Sequence, residues 1–256
     1  MSRITMLTGG GGIIGRAMVA ELASDDHHVV VADRNGAAAS EAVASVADGT
    51  ATALECDITD RDALESARLT IERDIGPVTG LICNAATKSD NFFEPFERFP
   101  IDDWNEVMAT NLTGPAICAQ VFGSQMAERG TGAIVNVLSI YGIVAPDQRI
   151  YAGSEYEGRA INTPAIYSAS KAGLWGLTKY LASYWGSSGV RVNALTPGGV
   201  FSGQNDTFVQ AYSERTMLGR MAHSDEIAAA AGFLLSDRAG YITGQNLVVD
   251  GGWTAW

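Results

Sequence analysis

Seven short apolar runs, interspersed with longer amphipathic stretches, restrict this chain of 256 residues to few folds. The predicted strands are Ile4–Thr8, His28–Ala32, Thr50–Cys56, Gly80–Cys83, Ala133–Leu138, Val190–Leu195 and Leu247–Val249. Predicted helices cover Ile14–Ser24, Ala37–Ala47, Arg61–Asp74, Asp103–Arg129, Tyr167–Ser187 and Asp225–Leu235. Strand and helix in alternation imply parallel strands, right-handed crossovers and a buried seven-stranded sheet with helices on both faces. No internal repeat and no Pro/Gly/Ser linker interrupts the pattern, so one doubly wound α/β domain over residues 1–256 is expected.

Two segments exceed the short connections such a fold prefers, residues 140–165 and 198–221. Both leave the carboxyl ends of strands, the side on which open α/β sheets bind ligands. They are the expected substrate loops.

The first strand runs into Thr8-Gly9-Gly10-Gly11-Gly12-Ile13-Ile14-Gly15 and then a helix. Glycines let a backbone approach a pyrophosphate closely, and the following helix N-terminus aims N–H groups at it. Strand, loop and helix in that order predict a dinucleotide site at Gly9, Gly11, Gly12, Ile13 and Ile14. The second strand ends at Asp33-Arg34. A carboxylate there accepts from the adenosine ribose hydroxyls and repels a 2′-phosphate, which favours NAD; Arg34 pulls toward NADP. Asp57 and Thr59, after the third strand, either meet the adenine edge or cap the next helix. Asn84-Ala85-Ala86 ends the fourth strand in small residues that leave room for a ligand.

Tyr167 and Lys171 stand four residues apart, on one face of a predicted helix. Free, they titrate near roughly 10 and 10.4. An adjacent ammonium favours the phenolate, so the pair is expected to bring the tyrosine toward the working range.

Composition narrows the partners. The net charge is −12, from 17 basic and 29 acidic residues, with no basic stripe, so nucleic acid is an unsuitable partner. Cys56, Cys83 and Cys118 form no CxxC pair, and His27, His28 and His223 do not cluster with them. Buried thiols and no metal site are the expectation. The N-terminus reads without a signal-peptide core, and no apolar run reaches the ~20 residues of a spanning helix. A cytoplasmic protein that meets no membrane is expected.

These residues together resemble the short-chain dehydrogenase/reductase family, in its branch of about 250 residues. The resemblance rests on the glycine loop, Asp33, Asp57, Asn84-Ala85-Ala86, Asn111, Ser139, Tyr167 with Lys171, Pro197-Gly198 and the terminal Val249-Asp250-Gly251-Gly252, nearly the whole chain. It implies a Rossmann fold and an NAD(P)-dependent oxidoreductase interconverting a secondary alcohol and a ketone. By that resemblance Tyr167 is the acid/base, Ser139 bonds the reacting oxygen, Lys171 tunes the tyrosine and holds the nicotinamide ribose, and Asn111 interrupts its helix to order a relay water. Asp57, Ile58, Asn84, Ala85, Pro197, Gly198, Val200 and Ser202 join the cofactor set. Two departures stand out. Ile13 occupies a position where the common loop has glycine, and the alternative spacing over Gly9, Gly12 and Gly15 is that of sugar-nucleotide epimerases and dehydratases. Ser139 and Tyr167 lie 28 residues apart, farther than is usual in the family, because of an insertion over Ile143–Thr163.

That insertion carries Arg149, Tyr151, Glu155, Tyr156, Glu157 and Arg159, and the second loop offers Gln204, Asn205, Asp206 and Tyr212. Such polar groups suit a sugar or polyol, with Tyr141, Arg149, Tyr151 and Gln204 as expected substrate contacts. The rival readings are an epimerase or dehydratase that keeps its NAD, and a non-catalytic dinucleotide sensor. A homotetramer is expected, with Ala116, Ile117, Cys118, Val121, Phe122, Leu174, Leu177, Tyr180 and Leu181 serving either as intersubunit face or as core.

Overall fold

A computed structural model describes residues 3–156 and 158–256; Glu157 and the side chain of Tyr156 lie outside the described residues. The strands are β1 (Arg3–Thr8), β2 (His27–Asp33), β3 (Ala51–Glu55), β4 (Val78–Cys83), β5 (Gly132–Val137), the short pair β6 (Glu155–Tyr156) and β7 (Arg159–Ala160), β8 (Val190–Pro197) and β9 (Asn246–Val249). Seven of them form one parallel sheet in the order β3-β2-β1-β4-β5-β8-β9. Chain order reverses between β1 and β4, and that switch point opens a crevice at the strands' carboxyl ends.

Alternate residues of the strands face opposite cores. Met6, Val30, Leu81, Ile134 and Val192 pack on one side with Leu181 and Trp185, while Leu7, Val31, Ile82, Val135 and Leu195 pack on the other with Met18, Leu22 and Ile227. Both faces are covered, which is why the strands read as continuous apolar runs rather than as alternating ones.

The helices are α1 (Ile13–Ser24), α2 (Gly36–Ala44), α3 (Arg61–Asp74), a long α4, α5 (Ala165–Trp185), α6 (Asp206–Ser213) and α7 (Ser224–Leu235). α4 begins at Ile101–Met108, passes through a π-helical turn at Ala109–Thr113, and continues by Gly114–Cys118 and a second π turn at Ala119–Gly123 to Ser124–Arg129. Asn35 caps α2 and Asp60 caps α3, each accepting from a backbone N–H and worth about 1 kcal/mol. The cap of α3 is therefore Asp60, not Asp57 or Thr59.

The long connections are more ordered than expected. The first holds a 3-10 turn at Gln148–Tyr151 and the β6–β7 hairpin. The second contains α6, capped by Asn205, whose Oδ1 accepts from the Phe208 N–H at 2.9 Å. The expected intersubunit face divides: Cys118, Val121, Phe122, Leu174 and Leu181 are buried core, whereas Tyr180 is 62% exposed and stacks on Tyr184. The sheet-facing stripe of each helix claimed the apolar residues. Among the described residues no helix is long and apolar enough to cross a membrane.

Candidate active site

The crevice begins with Thr8 at the end of β1. Its hydroxyl donates to the Ile82 carbonyl and accepts the N–H groups of Asn84 and Ala85, at 3.1 and 3.2 Å. The Asn84 amide reaches back to the Gly9 carbonyl at 2.9 Å. The ends of β1 and β4 are thereby locked to the glycine loop. A Cβ on Gly15 would stand 2.2 Å from the Gly9 carbonyl oxygen, so only glycine lets the loop fold back on α1.

α1 starts differently from its neighbours. Its N-cap is Gly12, with no side-chain cap and no acid in the first turn. The first amides of α1 are left for an outside acceptor, which fits an anionic pyrophosphate. Asp33 accepts the Gly11 N–H at Oδ2 and the Asn35 N–H at Oδ1, keeping further lone pairs for a ribose. Ile13 needs no glycine-only conformation, since Asp26 is the only non-glycine residue with positive φ among those described. Its side chain is 56% exposed and lines the crevice mouth. Arg34 is exposed and acts on Asp57, whose carboxylate is held below its usual range by two hydrogen bonds from Thr59 and then by that arginine. Ile58 is buried in the core, which leaves only its backbone for a ligand.

Beyond the glycine loop lies a cavity of about 780 Å³, ligand-sized. Tyr167 and Lys171 reach it from α5 and Ser139 from the end of β5. The turn after Ser139 lies directly on α5, because a Cβ on Gly142 would come within 2.9 Å of Lys171 backbone and side-chain carbons. That approach brings Ser139 and Tyr167 onto the wall of one cavity despite their separation in sequence. Phe92 packs edge-on against the Tyr167 ring at 6.2 Å.

Burial dominates the electrostatics. It pushes the Tyr167 phenol above its usual range, and the hydrogen bond with Ser139 offsets only part of that rise. Lys171 is 3% exposed, donates to the Val137 carbonyl at 2.7 Å, and is brought down to about 8 by the same desolvation. The expectation that the ammonium would lower the tyrosine is thus corrected: Lys171 Nζ lies 6.0 Å from the Tyr167 ring centroid, and loss of water, with the neighbouring Tyr151, sets the direction. Asn111 is wholly buried in the first π turn of α4, accepting from the Thr87 N–H at 3.0 Å and donating to Ser170 Oγ at 3.4 Å. It lies behind Tyr167 rather than on the cavity wall, since Ser170 in turn donates to the Tyr167 carbonyl.

Pro197, Gly198, Val200, Ser202 and Gln204 line the opposite wall, with Tyr141 and Tyr151. The Gln204 side chain is spent bracing its own loop, accepting from Ser202 N–H and donating to the Val200 carbonyl. Arg149 is corrected outright. It is 83% exposed, absent from the cavity wall and forked onto Asp147, because a partner two residues away in a tight turn captures it first. Thr163, Phe208 and Asn162 line the cavity but were not singled out from sequence. Thr163 was visible only as the end of the insertion, and the Phe208 signal was its place in the capped segment after Asn205. Among the described residues no cluster of His, Cys, Asp or Glu could hold a metal.

A crevice at the switch point beside a cavity lined by Ser139, Tyr167 and Lys171 has the geometry of a hydride-transferring enzyme. A family model described as enoyl-(acyl carrier protein) reductase matches residues 12–254. The chain belongs to the short-chain dehydrogenase/reductase family. It is 33% identical over 260 residues to D-threitol dehydrogenase of Mycolicibacterium smegmatis, covering 98% of this chain and 93% of that protein. It is likewise 33% identical over 261 residues to galactitol 2-dehydrogenase (L-tagatose-forming) of Cereibacter sphaeroides, covering 98% and 94%. The crystal structure of a short chain dehydrogenase from Leptospira borgpetersenii with bound NAD+ superposes with a TM-score of 0.87 at 34% identity, over 99% of this chain and 93% of that one. The chain is an oxidoreductase that uses a nicotinamide dinucleotide and acts on alcohols.

Proposed function

We propose that this protein interconverts a secondary alcohol of a neutral polyol or sugar derivative and the corresponding ketone, with NAD preferred to NADP. The observation that carries the reading is the convergence of Ser139, Tyr167 and Lys171 on one cavity that is continuous with the glycine loop at Ile13 and Ile14. Tyr167 removes the hydroxyl proton, Ser139 donates to the same oxygen, and Lys171 and Asn111 hold the helix face that positions the phenol. A nicotinamide held there would supply the hydride acceptor. In this reading Gly9, Gly11, Gly12, Ile13 and Ile14 hold the pyrophosphate. Asp33, Arg34, Asp57 and Ile58 hold the adenosine, and Asn84, Ala85, Pro197, Gly198, Val200 and Ser202 the nicotinamide half.

Preference for NAD rests on Asp33, a carboxylate at the end of β2 where a 2′-phosphate would be repelled. The polyol class rests on the hydroxyl-rich wall and on the activities named for the two relatives. Assembly as a homotetramer of single-domain subunits, in the cytoplasm, belongs to the same reading; the exposed Tyr180–Tyr184 stack supports the assembly and the three free cysteines support a reducing compartment.

Titration of NAD and NADP into the wild type and Tyr167→Phe, followed by turnover on a panel of polyols and sugars, tests this. The expected result is unchanged dinucleotide binding in the variant with oxidation lowered roughly 10²- to 10⁴-fold. Equal turnover by the two proteins would overturn it.

A further inference from the structure

The wall facing Tyr167 carries a chain of three hydroxyls that the proton-transfer chemistry does not use. Tyr151, from the insertion, bonds the Tyr141 hydroxyl at 3.1 Å and Thr163 Oγ1 at 2.5 Å. All three residues line the cavity. Tyr141 follows Ser139 by two residues and receives its support, its N–H donating to Ser139 Oγ at 3.2 Å. Tyr151 is fixed by its ring, which stacks on Phe208 at 5.4 Å, and Thr163 by paired backbone bonds with the Gln148 amide. The array is rigid before any ligand arrives.

Three hydroxyls bring three protons, and their two mutual bonds use two. One proton and several lone pairs remain at the cavity wall. A group able both to accept and to donate completes such an array, and an alcohol does so. A carboxylate only accepts and an ammonium only donates, so either leaves part of it unmatched. Charge points the same way: besides Lys171, the charged residues on the wall are Lys88 and Glu155, of opposite sign.

We propose that the Tyr141–Tyr151–Thr163 array binds a second hydroxyl of the substrate, one beyond the carbon being oxidised, and so selects diols and polyols over simple secondary alcohols. The proposal rests on the alcohol-oxidising reading of Tyr167 and Ser139 and adds a discriminating subsite to it. Tyr151 acts here as a specificity residue, since a neutral hydrogen bond to a buried site is worth more in rejecting the analogue that lacks the hydroxyl than in binding the one that has it.

The test compares the wild type, Tyr151→Phe and Thr163→Val with NAD on two matched substrates, 2,3-butanediol and 2-butanol. Tyr151→Phe keeps the ring on Phe208, and Thr163→Val keeps the shape, so the wall survives. NAD titration and thermal unfolding of each variant report its integrity. The expected result is that kcat/KM on the diol falls roughly 10- to 100-fold in either variant, mostly through KM, while 2-butanol oxidation and NAD binding hold. An equal loss on both substrates, or none on the diol, would overturn the subsite and leave the alcohol-oxidising reading standing. If the wild type oxidises 2-butanol as well as the diol, the discriminating array is refuted while that reading survives. If it oxidises neither substrate nor any polyol of the wider panel, both fall.

Discussion

The two sides of the crevice are built from different materials. The glycine-loop side is built on backbone: a loop tied down by Thr8 and Asn84, and a helix start that lacks a side-chain cap. On the substrate side, the wall is made of side chains delivered by the two long connections and the short helix α6 within the second, with Tyr151 stacked on Phe208 and Tyr212 stacked on Trp253 at 4.4 Å. Backbone contacts tolerate little change in the sequence that makes them, whereas side-chain walls can be rebuilt by exchanging residues on the same frame. The difference explains how one frame keeps one cofactor class while its substrate changes.

Breaking the backbone side has the largest expected effect. Gly15→Ala puts a methyl group where the Gly9 carbonyl oxygen lies at 2.2 Å, so the loop must shift. Calorimetry is expected to show dinucleotide affinity reduced roughly 10- to 100-fold with the fold retained. Lys171→Met tests the buried floor. An unfolded lysine titrates near roughly 10.4 and the native one near about 8, so the unfolded chain binds more protons between those values. Wild-type stability therefore rises with pH through that window and is lost as pH falls through 8. At pH 7 the buried charge costs about 3 kcal/mol. Urea unfolding at pH 7 and pH 9 is expected to show the wild type gaining on the variant at the higher pH, although the variant is inactive. Asp33→Asn is the subtlest: it removes the charge and keeps one of the Gly11 and Asn35 hydrogen bonds, since only its amide oxygen can accept. Its NADP-to-NAD affinity ratio is expected to rise on the order of tenfold, read by fluorescence titration.

The legibility of the sequence follows the same division. β1, β2 and β5 were evident because burial on both faces leaves an unbroken apolar run, and the glycine loop because steric needs admit one residue type. The π turn around Asn111 is hard to read from periodicity, since the single phase shift of an extra residue falls in Ala109–Thr113, where polar Thr110, Asn111 and Thr113 leave little apolar stripe to follow. α6 went unread because eight residues behind Asn205 are too few for periodicity to rise above loop composition. Arg149 has the charge of a substrate contact, but Asp147 two residues before it captures that charge. The tyrosine's ionisation was misjudged because spacing reports the ammonium but not the lost water, and here the second effect is larger.

In the proposed reaction Tyr167, its phenol raised by burial, moves the proton. The most direct test is the pH dependence of hydride transfer in single-turnover alcohol oxidation. Only the phenolate accepts the proton, so below the phenol's raised pKa the rate is expected to climb with pH by up to tenfold per unit across the neutral range, and in Tyr167→Phe to be low and flat. A wild-type rate independent of pH, or the same slope retained by Tyr167→Phe, would contradict the account.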